Sequence, residues 1–146
     1  MASLIYNSFW NDIFHANFDL DTVTVKVMLV SSAYTENKDT HTKRSDVTSE
    51  VSGTGYTAGG NTVAASLALN TTTDVMTITL ASTTWPSSTI TARKAVYYIS
   101  RGGASSADEI ICVDDFGSDV SSSGTAFNLD QTVITLSNTL WLLSAS

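Results

Sequence analysis

Cysteine, proline and cations are all scarce in this chain, and each scarcity removes a class of explanation. The one cysteine, Cys112, has no partner among the 146 residues, so no internal disulfide closes a loop and stability must come from packing or from association with other chains. Its neighbours Ile110, Ile111 and Val113 predict a buried, inert thiol, whereas a reactive one needs a histidine or cationic partner. The one proline, Pro86, marks a turn or an edge and leaves few devices for blunting exposed strands, which favours association between chains. The 7 lysines and arginines are scattered among 14 acidic residues, for a net charge of −7. That balance excludes the clustered cations of a nucleic-acid groove and weakens adhesion to anionic membranes. No apolar run approaches the ~20 residues that cross a bilayer, and Met1-Ala2-Ser3-Leu4-Ile5 lacks the basic start of a signal peptide. The expectation is a soluble protein without a recognisable export signal.

What is present is mostly β pattern. From Thr22 the residues alternate, with Val23, Val25, Val27 and Leu29 against Thr24, Lys26 and Met28, which predicts a half-buried strand. Val63, Ala65, Leu67 and Leu69 alternate in the same way. After the polar turn Asn70-Thr71-Thr72-Thr73-Asp74, Met76, Ile78 and Leu80 do so again, giving a β-hairpin. Asn70-Thr71-Thr72 also fits a glycosylation sequon, but without an export signal it reads as the turn. Ala92–Ile99 and Glu109–Asp115 are apolar on both faces, which predicts central strands joined through the turn Arg101–Ser106. A polar turn from Ser118 to Gly124, a short segment Ala126–Leu129 and a last strand from Val133 to Leu136 follow. Between the first strand and the hairpin, Ser31–Ser49 is polar and aperiodic, as expected of a long surface excursion.

Only the first segment has helical spacing. Ile5, Phe9 and Ile13 recur every fourth residue beside Tyr6, Trp10 and Phe14, predicting an amphipathic helix over Leu4–Phe14 with Ser3 as N-cap. Such a helix either covers a sheet or serves as a docking arm whose aromatics enter a partner's groove. The whole chain, 1–146, therefore reads as a single all-β sandwich of short antiparallel strands, with 1–17 as an N-terminal helix or docking arm.

Half of the eight glycines fall in Glu50-Val51-Ser52-Gly53-Thr54-Gly55-Tyr56-Thr57-Ala58-Gly59-Gly60. Val51 and Tyr56 anchor this segment, so it reads as a built loop that also offers a partner contact, unlike a flexible linker. Its glycine spacing matches neither the G-x-x-x-x-G-K-[ST] nor the G-x-G-x-x-G phosphate-binding pattern.

Catalytic chemistry has little support. Asp114, Asp115 and Asp119 form an acidic cluster, but adjacent strand residues point to opposite faces and do not readily share one ion. His15 and His41 belong to no zinc pattern, and no G-x-S-x-G elbow occurs. Asp115-Phe116-Gly117 matches the kinase triplet without its companions. Trp10, Trp85 and Trp141 lie far apart in apolar runs, which favours core or interface packing over a stacking platform. The expectation is a non-enzymatic protein with no cofactor and no metal. Its interface candidates are Ile5, Tyr6, Phe9, Trp10, Tyr56, Trp141 and Leu142, the last two within the apolar stretch Leu140-Trp141-Leu142-Leu143.

Asp19-Leu20-Asp21-Thr22 ahead of the first strand, Asp39-Thr40-His41, the Val51–Gly60 loop, Ile90-Thr91-Ala92-Arg93-Lys94-Ala95-Val96-Tyr97-Tyr98 and Asp115-Phe116-Gly117-Ser118 occur in that order. In these motifs the chain resembles a set of small virion proteins of tailed bacteriophages. The resemblance implies a structural role, most often decoration or cementing of the capsid by bridging major capsid protein subunits. The expectation that accompanies it is a homo-oligomer such as a trimer on the outer surface of the virion, with the N-terminal segment and the Gly53–Gly60 loop among its contacts. Proteins of this kind are assigned to tails as well, so a tail- or fibre-associated protein that binds a glycan or receptor is the alternative. The aromatic first helix and the Leu140–Leu143 stretch depart from the set.

Overall fold

Period-two alternation dominates the structure as it dominates the sequence, and it builds two antiparallel sheets. The computed structural model describes residues 3–137. In chain order the elements are β1 (Leu4–Ile5), α1 (Asn7–Phe14), β2 (Thr24–Val30), β3 (Asn61–Val63), β4 (Ala65–Asn70), β5 (Val75–Leu80), β6 (Thr83–Ser100), β7 (Ile110–Leu129) and β8 (Thr132–Ser137). One sheet has the order β1-β7-β6-β2-β3 and the other β4-β5-β8. They share a core in which Val25, Val27, Leu29, Tyr97 and Ile99 of the large sheet join Ile78, Leu80 and Ile134 of the small one. The chain is an all-β sandwich with one short N-terminal helix. Each fully buried large side chain in that core contributes about 1.5–3 kcal/mol of hydrophobic stabilisation.

Where β2 runs beside residues 92–100 of β6 and 110–113 of β7, the large sheet is apolar on both faces and both are covered; the remaining parts of β6 and β7 leave many residues exposed. Residues directly opposite one another share a face, so Val25, Val27 and Leu29 lie with Ile99, Tyr97 and Ala95, while Met28 lies on the other side with Val96. That second face carries its own buried cluster of Met28, Val30, Val96, Tyr98, Ile110 and Val113, capped by Tyr6 and Tyr34. Tyr34 belongs to the polar excursion, which lacks regular structure apart from a 3-10 turn at Arg44–Asp46. The excursion is nevertheless fastened down. Lys94 Nζ donates to the Tyr34 carbonyl at 2.9 Å and pairs with Glu36. Arg44 bonds Asp108 at 2.7 Å, and Lys43 reaches Glu109 at 3.3 Å.

The first segment differs from its prediction at its start. Leu4 and Ile5 pair with Val113 and Cys112, satisfying backbone groups on the β7 edge that an extra helical turn would leave open. The helix therefore begins at Asn7 behind Tyr6. Ser3 caps nothing; its hydroxyl donates to Asp114 and accepts the Asp115 N–H at 3.1 Å. With Phe9 and Tyr6 both 0% exposed, the segment is packed into the fold and is not a projecting arm.

Other boundaries also move. The run predicted as one strand from Thr62 to Leu69 changes sheets at Ala64: Val63 pairs with Val25, whereas Ala65 pairs with Leu80. The Ala92–Ile99 prediction is the end of an 18-residue strand. Pro86 sits within it, at the register shift between Trp85 and Ser88, a place where the missing N–H costs no ladder bond. Glu109–Asp115 and Ala126–Leu129 merge into the 20-residue β7. The predicted Ser118–Gly124 turn is replaced by a bulge at 116–119, between the pairs Lys94–Asp115 and Ala92–Val120.

The glycine segment is a built loop. A Cβ on Gly60, at φ +70°, would lie 1.8 Å from the Val27 carbonyl oxygen, and one on Gly53 would lie 2.2 Å from that of Thr89. The loop passes too close to the large sheet for any side chain at those two points.

Candidate interaction surface

The small sheet extends beyond the core it covers. Its register aligns three cross-strand rows on the face turned toward the large sheet: Ala65-Leu80-Thr132, Leu67-Ile78-Ile134 and Leu69-Met76-Leu136. Leu80, Ile78 and Ile134 are buried, but exposure rises outward to 37% at Leu67, 36% at Met76 and 63% at Leu69. The last row therefore overhangs the core. Opposite it stands the end of α1, whose Phe14 is 76% exposed while Trp10 and Ile13 are half-buried.

Together these elements form an open groove of about 350 Å³ between Trp10, Ile13, Phe14 and Phe18 on one side and Leu67, Met76 and Leu136 on the other. Among the described residues Asp19 is the one charged residue on its lining, and its carboxylate is turned to the local chain, accepting the Asp21 N–H at 3.0 Å. At the hairpin end a second hollow continues past Leu69 and Met76 to Ser137 and takes in Thr71 and Asp74. Apolar surface exposed in one stretch suits contact with another apolar surface. Among the described residues the groove's lining is almost wholly apolar.

The residues singled out from the sequence fall in different places. Trp10 lines the groove. Ile5 lies half-buried at the β1–β7 edge, away from it. Tyr6 and Phe9 are inside the fold, so a single chain does not present them to a partner. The Tyr6 and Tyr34 hydroxyls instead share a hydrogen bond of 2.7 Å; Tyr34 in turn lies 2.9 Å from His41 Nδ1, which accepts the Asn37 N–H. Burial pushes the Tyr34 hydroxyl up to about 12 and that of Tyr6 higher still. Tyr56 is a structural anchor. Its hydroxyl accepts the Leu29 N–H at 3.0 Å and donates to Glu50 at 2.7 Å, and Glu50 also accepts the Gly59 N–H at 2.6 Å. Trp141 and Leu142 lie outside the described residues.

Phe14, Leu67, Leu69, Met76 and Leu136 form the surface that sequence reasoning missed as an interface. The alternation of the four strand residues was legible, but it did not reveal which of them the core would leave exposed.

The acidic cluster divides as strand geometry requires. Asp114 accepts from Ser3 and, at 3.2 Å, from Thr132 Oγ1, while Asp115 pairs with Arg93 at 2.8 Å. Among the described residues no group of three His, Cys, Asp or Glu side chains is placed to hold a metal ion. Cys112 is buried, and that burial pushes its thiol well above the ordinary range. Among the described residues, every lysine and arginine except Lys26 lies against a carboxylate. Among the described residues no helix is long and apolar enough to cross a membrane.

No family model, no curated protein and no solved structure matches this chain.

Proposed function

We propose that this protein is a non-enzymatic decoration, or cement, protein of a tailed-phage head, bound to the outer capsid surface and bridging major capsid protein subunits. The observation that carries the reading is the exposed apolar surface that Phe14 forms with Met76 and Leu136, continued along the same row to Leu69 beside Thr71 and Asp74. Its chemistry suits docking against protein, and the motif resemblance in the sequence supplies the kind of partner. A decoration protein needs a fold that is rigid without disulfides, and here both faces at the centre of the large sheet are packed. Repetition on a symmetric shell then makes modest individual contacts sufficient.

The alternative, a glycan- or receptor-binding protein of the tail or fibre, calls for exposed aromatic platforms with hydrogen-bonding neighbours. Trp85 is buried in the core, and Phe14, the most exposed of the groove aromatics, stands among apolar side chains. These observations favour docking to protein over binding to sugar.

Gold-labelled antibody against the chain, applied to purified phage particles, tests the proposal. Label distributed over the head is the expected result. Label confined to tails or fibres would establish the alternative, and absence of the chain from particles would reject both.

A further inference from the structure

We infer that two copies of this chain pair through β4, edge to edge and antiparallel about a two-fold axis at Ala68, so that their three-stranded small sheets join into one continuous sheet. The inference goes beyond the proposed function and does not depend on it.

The first observation is a free edge without protection. β4 is an outer strand of the small sheet, and among the described residues no strand lies on its outer side and no backbone hydrogen bond from elsewhere reaches it. Every residue from Ser66 to Asn70 is exposed. Such an edge presents a row of unpaired N–H and C=O groups, which folded proteins blunt with charge, proline, bulges or shortness. The large sheet carries these devices. Its end strands β1 and β3 have two and three residues, and the long stretches of β6 and β7 beyond them carry register shifts, Pro86 and Asp119. β4 carries none of them: its six residues include no charge and no proline, and they pair with β5 in unbroken register.

The second observation identifies the occupant. Ser66-Leu67-Ala68-Leu69-Asn70 has the same character read in either direction: polar, leucine, alanine, leucine, polar. A two-fold contact sets residue i against j and j against i, and residues directly opposite one another in a sheet share a face. An axis at Ala68 therefore sets Leu67 against Leu69 of the second copy, Ser66 against Asn70, and Ala68 against its own mate. Apolar side chains meet apolar ones, and no charge lies across the join. The row Leu136-Met76-Leu69 of one copy then runs on into Leu67-Ile78-Ile134 of the other. A strand from an unrelated partner would fill the edge without needing this symmetry. β8, the other edge of the small sheet, lacks it: an axis at Ile134 would set Thr132 against Leu136, and one at Thr135 would set Val133 against Ser137.

The test uses full-length protein in sedimentation equilibrium. The wild type is expected to reach twice the mass of the chain and no more. Ala68→Lys and Ala68→Glu each place like charges opposite one another at the axis, and each alone should associate about tenfold more weakly. An equimolar mixture of the two should associate more tightly than either alone, because lysine then faces glutamate. Position 68 is exposed, so both variants are expected to fold, and circular dichroism checks this. Thr135→Lys, at the β8 edge, should associate like the wild type. Amide exchange of the unaltered protein supplies a reading without any substitution: β4 should be protected more strongly at high protein concentration than at low, with β1 and β3 unchanged. A wild type that is monomeric throughout, whether β4 stays open or residues 138–146 of its own chain cover it, would overturn the inference. So would a trimer, a mixture no tighter than its components, loss of association in Thr135→Lys, or exchange in β4 that ignores concentration. A β4 dimer absent from phage particles would reject the proposed function and leave this inference standing, and a monomer that labels phage heads would do the reverse.

Discussion

The two sheets treat their apolar faces differently. The centre of the large sheet, where β2 meets residues 92–100 and 110–113, is covered on both sides, by the small sheet on one and by Tyr6 and the polar excursion on the other. The small sheet covers part of the core with its near rows and leaves its far row, Leu69-Met76-Leu136, beyond it. The same alternating pattern is thus buried at one end of a strand and exposed at the other. Within β5 the change takes four residues, from Leu80 at 0% exposed to Met76 at 36%.

Truncating side chains along the small sheet should expose this division most sharply. Leu80→Ala removes a fully buried side chain and is expected to cost about 2–5 kcal/mol. Leu69→Ala is expected to stay within about 0.5 kcal/mol of the wild type, as for other exposed sites. Urea unfolding of the two variants checks both, and equal losses would mean that the far row is core.

On the second face of the large sheet, the fastening of the excursion is a buried ion pair. Lys94→Met leaves Glu36 buried beside an apolar side chain and is expected to destabilise by about 3–5 kcal/mol. The double change Lys94→Met with Glu36→Leu should recover most of that loss. A double variant as unstable as the single one would show that the pair contributes more than it costs to bury.

Acid should weaken the large sheet selectively. At Glu109, burial works to raise the pKa, but Arg101 and Lys43 outweigh it and hold the carboxyl below its ordinary 4.5. At Asp115, burial is likewise outweighed, here by Arg93 and the Gly117 N–H, and the group lies below its ordinary 3.8. A carboxylate depressed in the folded state lends stability that is fully present above its unfolded pKa and lost as pH falls through the folded one. Unfolding midpoints should therefore fall below about pH 4, within the range where unfolded carboxylates titrate. β4, β5 and β8 contain no ionisable side chain, so amide exchange in acid should rise first around β7 and the excursion. A faster rise in the small sheet would contradict the assignment.

The sandwich and its central strands were legible in the sequence because buried faces recur with period two, and Val25-Val27-Leu29 and Met76-Ile78-Leu80 carry that signal directly. Leu4–Ile5 was misread because its helical spacing is genuine as far as it goes. Pairing with Val113 and Cys112 wins there, satisfying an edge that lies more than a hundred residues away in the chain. The excursion concealed Tyr34 and Glu36 because isolated buried positions leave no period to detect. The groove was hidden for a different reason: Leu69 and Leu80 look alike in sequence, and their fates diverge only through the placement of the large sheet behind them.

Changing the far row while leaving the core untouched tests the central claim most directly. Leu69→Lys with Met76→Lys, measured in one preparation for thermal unfolding and for binding to phage heads, should retain an unfolding temperature within a few degrees of the wild type and lose attachment. Retained attachment, or collapse of the fold together with attachment, would contradict the account.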